Sequence, residues 1–210
     1  MQVDPSGRGK DETAIAINKK CKATIYLTMV KGLKGGYTDS TLELILRTVQ
    51  KERINVIGIE PNFGDGLFAR LLKGKAQETD PTTAKPFYDC GRIEDSAWVN
   101  TQKEARIIDT LEPALNQHRV VVDRSCILDD YHSTESDAYS LDEQQCNRFF
   151  YQMTRLTRDK GSLANDDRVD AVAGAVGYST EKMAENPGVD FDQFHSGSSS
   201  GVSSITHLRH

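Results

Sequence analysis

Four carboxylates stand at positions where their chemistry needs an explanation. Glu60 follows the apolar run Val56 to Ile59, where a charge buried without a partner is costly. Asp4 lies between Val3 and the turn-forming run Pro5, Ser6, Gly7, Arg8, Gly9, so its carboxylate can face the end of a sheet while the chain doubles back. Asp167 and Asp170 open the apolar stretch Ala171 to Val176, and their i, i+3 spacing sets both on one face of a helix. Magnesium and manganese prefer oxygen ligands, and several carboxylates are the usual way to hold them near a substrate's phosphates. Asp11, seven residues after Asp4, is brought back toward it by a hairpin and would add charge or an outer contact to a cation. Each acid also has a plain structural role. Asp11 suits a polar turn, Glu60 an exposed strand end, and the Asp167/Asp170 pair a helix N-terminus. Spacing alone leaves both readings open.

Four cations accompany these acids. Lys103 and Arg106 are one helical turn apart, and Arg8 and Lys10 sit in the turn after Asp4. All four are candidates for nucleic-acid phosphates, although solvated surface positions explain such residues equally well. Other chemistries lack their residues. The run Gly7 to Asp11 fails as a phosphate-binding P-loop, because the glycine spacing is wrong and Lys10 is followed by Asp11 rather than Ser or Thr. The five histidines show no triad or metal spacing, no G-x-S-x-G is present, and the four cysteines are scattered without a C-x-x-C pair. The net charge of -5 speaks against a generally basic nucleic-acid wrapper, but a chain that gathers carboxylates for metals is acidic on any overall count.

The elements that position these residues follow from periodicity. With 37% hydrophobic residues in 210, one domain over residues 1–178 is expected, followed by a flexible tail over 179–210 that ends in a Ser/Gly-rich run. No stretch is apolar enough for a membrane span, no signal peptide is evident, and a cytoplasmic location is expected. A strand ending at Asp4, a second from Thr13 and a third over Ala23 to Val30 form an antiparallel meander. A helix from Thr38 to Lys51 crosses over to a parallel strand ending at Glu60. Helices are expected over Phe63 to Lys73, Thr101 to Gln117, Leu141 to Lys160 and from Asn165 to Tyr178, with strands over Pro86 to Ile93 and Arg119 to Asp123. Residues 124–140 read as a surface loop. The order is that of an α/β mixed sheet flanked by helices.

Four segments together, V-D-P-S-G-R-G-K-D-E-T at 3–13, I-E-P-N-F-G-D-G-L-F at 59–68, T-Q-K-E-A-R-I-I-D-T-L-E-P-A-L-N-Q-H-R at 101–119 and N-D-D-R-V-D-A-V at 165–172, resemble the nuclease domain of tailed-phage large terminases, especially those of short-tailed podophages. The resemblance implies a ribonuclease H-like fold in which acids from the first strand, the fourth strand and a late helix meet at one sheet edge. Asp4, Glu60 and Asp167 match those positions, with Asp170 and Asp11 nearby; the choice among Asp166, Asp167 and Asp170 as direct ligands stays open. Asp65, flanked by glycines, fits a turn better than a ligand.

The resemblance further implies cleavage of concatemeric double-stranded DNA with two Mg2+ or Mn2+ ions. It implies an ATPase domain, a small terminase subunit and a portal as partners, in the host cytoplasm during phage assembly. No ATPase motif occurs in these 210 residues. Two other readings share the residues: a DNA- or portal-docking module, and another ribonuclease H-like nuclease such as a junction resolvase.

Overall fold

The computed structural model describes residues 1–7, 11–61, 66–88, 92–96, 101–136 and 138–185. Its first three strands, β1 (Gln2–Asp4), β2 (Thr13–Cys21) and β3 (Thr24–Leu33), form the expected antiparallel meander. Helix α1 (Asp39–Glu52) returns the chain to β4 (Val56–Ile59), which pairs parallel to β1. Then come α2 (Leu67–Gln77), a two-stranded ribbon of β5 (Thr79–Asp80) and β6 (Lys85–Pro86), and strand β7 (Arg92–Asp95). Helix α3 (Lys103–Asn116) leads to β8 (Val120–Val122), and the chain continues through α4 (Arg124–His132), α5 (Leu141–Cys146), α6 (Phe149–Arg155) and α7 (Asp167–Glu185). The six-stranded sheet runs β7-β4-β1-β2-β3-β8, and β2 alone opposes its neighbours.

Alternation along the strands decides which side chains meet. Val3, Ile15, Ile17, Ile57 and Ile59 bury against Leu42, Ile45, Leu46 and Val49 of α1 and Phe68 and Leu72 of α2. Ala14, Ala16, Ile25 and Leu27 face the other way, onto Ile107 and Leu111 of α3, Phe149 of α6, and Val169, Val172 and Val176 of α7. Successive strand residues point to opposite faces. Asp4 follows Val3, and Glu60 follows Ile59, so both acids fall on the α7 side. The backbone fixes their level, since the Glu60 N–H donates to the Val3 carbonyl at 3.0 Å and extends the parallel ladder past the last β4 residue.

Small residues let α7 lie close to the sheet. Gln2 is buried between Gly58 and Gly174: a Cβ on Gly58 would stand 2.3 Å from its Oε1, and one on Gly174 2.8 Å from its Cγ. Gln2 is held in place, donating to Ser96 Oγ at 2.8 Å and accepting from it at 3.1 Å.

The structure departs from the sequence expectations in four places. The single strand expected over Pro86 to Ile93 is divided between the β5–β6 ribbon and the separate β7. The long helix expected from Leu141 to Lys160 is broken between Cys146 and Phe149, because the Asp130 carboxylate accepts from Phe149 N at 2.9 Å and Phe150 N at 3.2 Å and so starts a new helix. The expected loop 124–140 contains α4, whose N-terminus is capped by Asp123 through Ser125 N at 2.8 Å. It buries Cys126 and Asp130 and leaves Ile127, Leu128 and Tyr131 exposed, so the face it packs inward carries no aliphatic stripe. Finally, α7 continues to Glu185, so residues 179–185 are helix rather than tail; Asn18 Nδ2 holds this stretch by donating to Ala175 O and Ser179 Oγ at 2.7 and 3.0 Å. The remainder of the expected tail, 186–210, lies outside the described residues.

Two helical glycines are expected to respond in opposite directions. At Gly74 in α2 a Cβ meets nothing within 4 Å, so Gly74→Ala should stabilise by about 0.5–1 kcal/mol through helix propensity. Gly174→Val should cost about 1–3 kcal/mol by overpacking against Gln2. Chemical denaturation with a common m-value measures both, and a neutral Gly174→Val would show that α7 has room to move off the sheet.

Candidate functional site

Asp4 at the end of β1, Glu60 just past β4 and Asp170 in the first turn of α7 converge, each offering an oxygen within 4.8 Å of the others. Asp4 and Asp170 side chains are 14% and 4% exposed, so this is a buried gathering of like charges. Burial raises Asp4 well above the usual carboxylate range; Lys103 opposes the shift, while Asp170, Glu60 and Asp167 add to it. Asp170 is raised by the same burial and by Glu60, against the pull of Lys103 and Arg106. Asp4 Oδ2 is buried without a hydrogen-bond partner, and the Lys103 ammonium is 3.9 Å away. An orphaned oxygen between two further carboxylates fits a divalent cation, which is satisfied by oxygen donors and repays their desolvation.

The remaining acids stand beside this trio. Asp167 is pushed up to about 7, chiefly by burial; Lys103 works against the shift, and Asp166, Glu12 and Asp11 contribute to it. Asp11 is exposed at the end of the β1–β2 connection, close enough for its charge to be felt at Asp167. Asp166 accepts from Lys103 Nζ at 2.9 Å. The hairpin and the helix face thus bring Asp11 and Asp167 to the site's margin, while the trio itself consists of Asp4, Glu60 and Asp170.

Lys103 and Arg106 point into the cluster from α3. Lys103 Nζ lies 3.1 Å from Asp170 Oδ2, and Arg106 Nη2 lies 2.8 and 2.9 Å from Asp170 Oδ2 and Oδ1 and 3.5 Å from Glu60 Oε1. Burial lowers the Lys103 pKa, but Asp170, Asp4 and Asp166 outweigh it and hold the ammonium charged. Arg8, Lys10 and Asp65 lie outside the described residues. The trio lines an open cleft of about 300 Å³ between β7 and α7, walled further by Glu94, Asp95 and Ser96 on one side and Tyr178, Glu181 and Lys182 on the other.

Sequence reasoning missed what anchors the acids. Arg168, between Asp167 and Asp170, is wholly buried and directed away from the trio. Its Nε donates to Glu12 Oε1 at 2.6 Å, and its Nη1 to Asp130 Oδ1 at 2.9 Å and Ser133 Oγ at 2.7 Å. Tyr139 OH donates to the other Glu12 oxygen, and the Gln152 side chain accepts from Val169 N at 3.0 Å. The network ties the first turn of α7 to the start of β2 and to α4 and α6. Glu12 is so firmly placed against Gly32 that a Cβ there would fall 2.0 Å from its carboxylate. A signal for it was present in the sequence: Arg168 shares the helical face of Ala171, Val172 and Ala175, and a charge on an apolar face requires a buried partner.

Arg168→Met leaves Glu12 and Asp130 as unpaired buried charges and should destabilise the domain by about 3–5 kcal/mol; a loss under 1 kcal/mol in urea melts would contradict the network. The shift of Asp167 from 3.8 to about 7 means that between these values the folded chain holds a proton that the unfolded chain releases. Its contribution to stability therefore falls as pH rises through that window. In chelator, Asp167→Asn should raise the melting temperature more at pH 8 than at pH 5, and an equal gain at both would indicate an unshifted carboxyl.

The chain matches the family model described as "Terminase Bacteriophage T7, Ribonuclease H-like domain" over residues 3–120. It is 38% identical over 188 residues to the terminase large subunit of Enterobacteria phage T3, a match covering 87% of this chain and 29% of that protein. Among solved structures it resembles the human cytomegalovirus terminase nuclease domain, Mn soaked and inhibitor bound, at a TM-score of 0.44 and 12% identity, covering 82% of this chain and 79% of that one. The chain thus spans under a third of the phage relative's length. The motifs at both ends of the sheet, the mixed topology and the family match over more than half its residues place the chain in the ribonuclease H-like nuclease domains of phage terminase large subunits.

Proposed function

We propose that this domain is a metal-dependent endodeoxyribonuclease that cuts concatemeric double-stranded DNA, with Asp4, Glu60 and Asp170 as inner ligands and Asp167 and Asp11 completing the site. The observation that supports this reading most directly is the meeting of three carboxylates within 4.8 Å, one with a buried oxygen that accepts no hydrogen bond. Two Mg2+ or Mn2+ ions bound here would activate a water for attack on phosphorus and neutralise the charge that develops as one P–O ester bond breaks.

The protein's own groups do the positioning. Asp4 and Glu60 sit on adjacent parallel strands locked in register, and Asp170 is on a helix anchored by Arg168. Ligands on such rigid elements hold their geometry without the loop motions that would blur it. Lys103 and Arg106, with Arg8 and Lys10 of the sequence after Asp4, are the proposed contacts to DNA phosphates. Such contacts are sequence-tolerant and weaken with salt. The cleft between β7 and α7 continues from the three carboxylates. In the whole terminase, the ATPase domain, the small subunit and the portal are the proposed partners, and the host cytoplasm the proposed setting.

Nicking and linearisation of supercoiled plasmid in Mg2+ or Mn2+ tests this. Asp4→Asn, Glu60→Gln and Asp170→Asn should each lower the rate by about 10²-fold or more, and chelator should abolish it. Undiminished cutting by these variants, or cutting in chelator, would overturn the assignment. Preference for RNA or for four-way junctions over plasmid would move the domain to another ribonuclease H-like activity, and DNA binding without any cutting would leave it a docking module.

A further inference from the structure

Asp4 and Asp170 stand in opposite conditions although they share one site. Asp4 Oδ2 accepts nothing. Both oxygens of Asp170 are already taken, Oδ1 by Arg106 Nη2 and Oδ2 by Arg106 Nη2 and Lys103 Nζ. Three of the roughly four lone-pair positions of this carboxylate are thereby filled, so a divalent ion that binds it at about 2.1 Å through Oδ2, or through both oxygens, displaces at least one of these partners. The Lys103 ammonium, 3.1 Å from Asp170 Oδ2 and 3.9 Å from Asp4 Oδ2, lies against both carboxylates that an ion bridging them would use. The two cations are set among Asp4, Glu60, Asp166 and Asp170, all within 4 Å of one or the other.

Both cations also have a way out. They lie one turn apart on α3, with side chains 36% and 25% exposed, and Arg106 lines the open cleft. A lysine ammonium on a flexible four-carbon stem and an arginine fork are the two groups best suited to accept phosphate oxygens once released.

From this arrangement we infer that Lys103 and Arg106 form a cationic latch on Asp170. They take the place of a divalent ion in the metal-free domain, yield Asp170 when the ion enters, and turn to DNA phosphates. Metal binding and DNA binding are thereby coupled, each favouring the other, because the same two side chains leave the carboxylates for the phosphates. The coupling is reciprocal in binding free energy, as linkage requires. The inference rests on the metal-site reading above but makes a claim that reading does not: removing a positive charge from the site should improve metal binding without DNA.

The test is calorimetric titration of Mn2+ into the DNA-free 210-residue chain, comparing the parent with Lys103→Gln and Arg106→Gln. Arg158→Gln serves as the control, since it breaks an exposed ion pair to Asp109 on the same helix. Each latch variant should bind Mn2+ at least about fivefold more tightly than the parent, with Arg158→Gln unchanged and Lys103→Arg close to the parent. Thermal melts of every variant report folding, and the two latch positions give independent readings should one variant fold poorly. Metal binding by the parent with equal or weaker binding by both latch variants overturns the latch and leaves the metal site standing. Failure of the parent and both variants to bind Mn2+ overturns the metal site and the latch with it. Binding by the variants alone supports a latch strong enough to exclude the ion.

Discussion

Carboxylates of one sign, brought within a few ångströms of each other beneath a helix, repel one another and lose their water. Asp4, Glu60 and Asp170 do this at the ends of β1 and β4 and the start of α7. Their response is visible in the upward displacement of Asp4 and Asp170, in both cases led by burial. An assembly of this kind costs the fold stability, and the surrounding elements must hold it together. Much of the rest of the architecture follows from that requirement.

Two kinds of support meet it. One is electrostatic and close at hand: Lys103 and Arg106 reach in from α3 and bring opposite charge to Asp170, Asp166 and Glu60. The other is mechanical. Arg168 turns the opposite way from its acidic neighbours and is fixed by buried Glu12 and Asp130 and by half-buried Ser133, which holds the first turn of α7 against the sheet. Buried ion pairs of this sort contribute little net stability over an apolar core, but each partner is costly to lose. Their geometry fixes where Asp167 and Asp170 point.

Packing beneath α7 serves the same end. Ala14 and Ala16 on β2, Gly58 on β4 and Gly174 on the helix keep side-chain bulk out of the interface, and the face opposite is filled by Ile, Leu and Phe from α1 and α2. The sheet is therefore thick on its structural side and thin on its functional side. Gln2, buried two residues before Asp4 and hydrogen-bonded to Ser96, fills the little space left. The close approach brings an acid on a helix to acids on strands.

The strands and crossover were legible from the sequence because period-2 alternation is a local property: Val3, Ile57 and Ile59 report their own burial, and Asp4 and Glu60 then take the other face or the strand end. The α1 and α3 helices announced themselves in the same way through their apolar spacing. Helix α4 did not, since the positions it buries are Cys126 and Asp130 rather than aliphatic residues at helical spacing. The break between α5 and α6 was equally hidden, because Asp130, the residue that starts α6, lies some twenty positions earlier in the chain. At the site, the acids could be named as candidates from their positions at strand and helix ends, together with the resemblance of four ordered segments. Which of them converge could not be. Asp170 rather than Asp167 joins Asp4 and Glu60, and Lys103 and Arg106 turn inward to the acids, because the rotation of α7 about its axis and the placement of α3 are set by contacts between residues as much as 161 positions apart. Residue types and periodicity determined the sheet, its faces and the acidic inventory; the pairing of charges was decided only by tertiary packing, since no local pattern encodes the distance between side chains on separate elements.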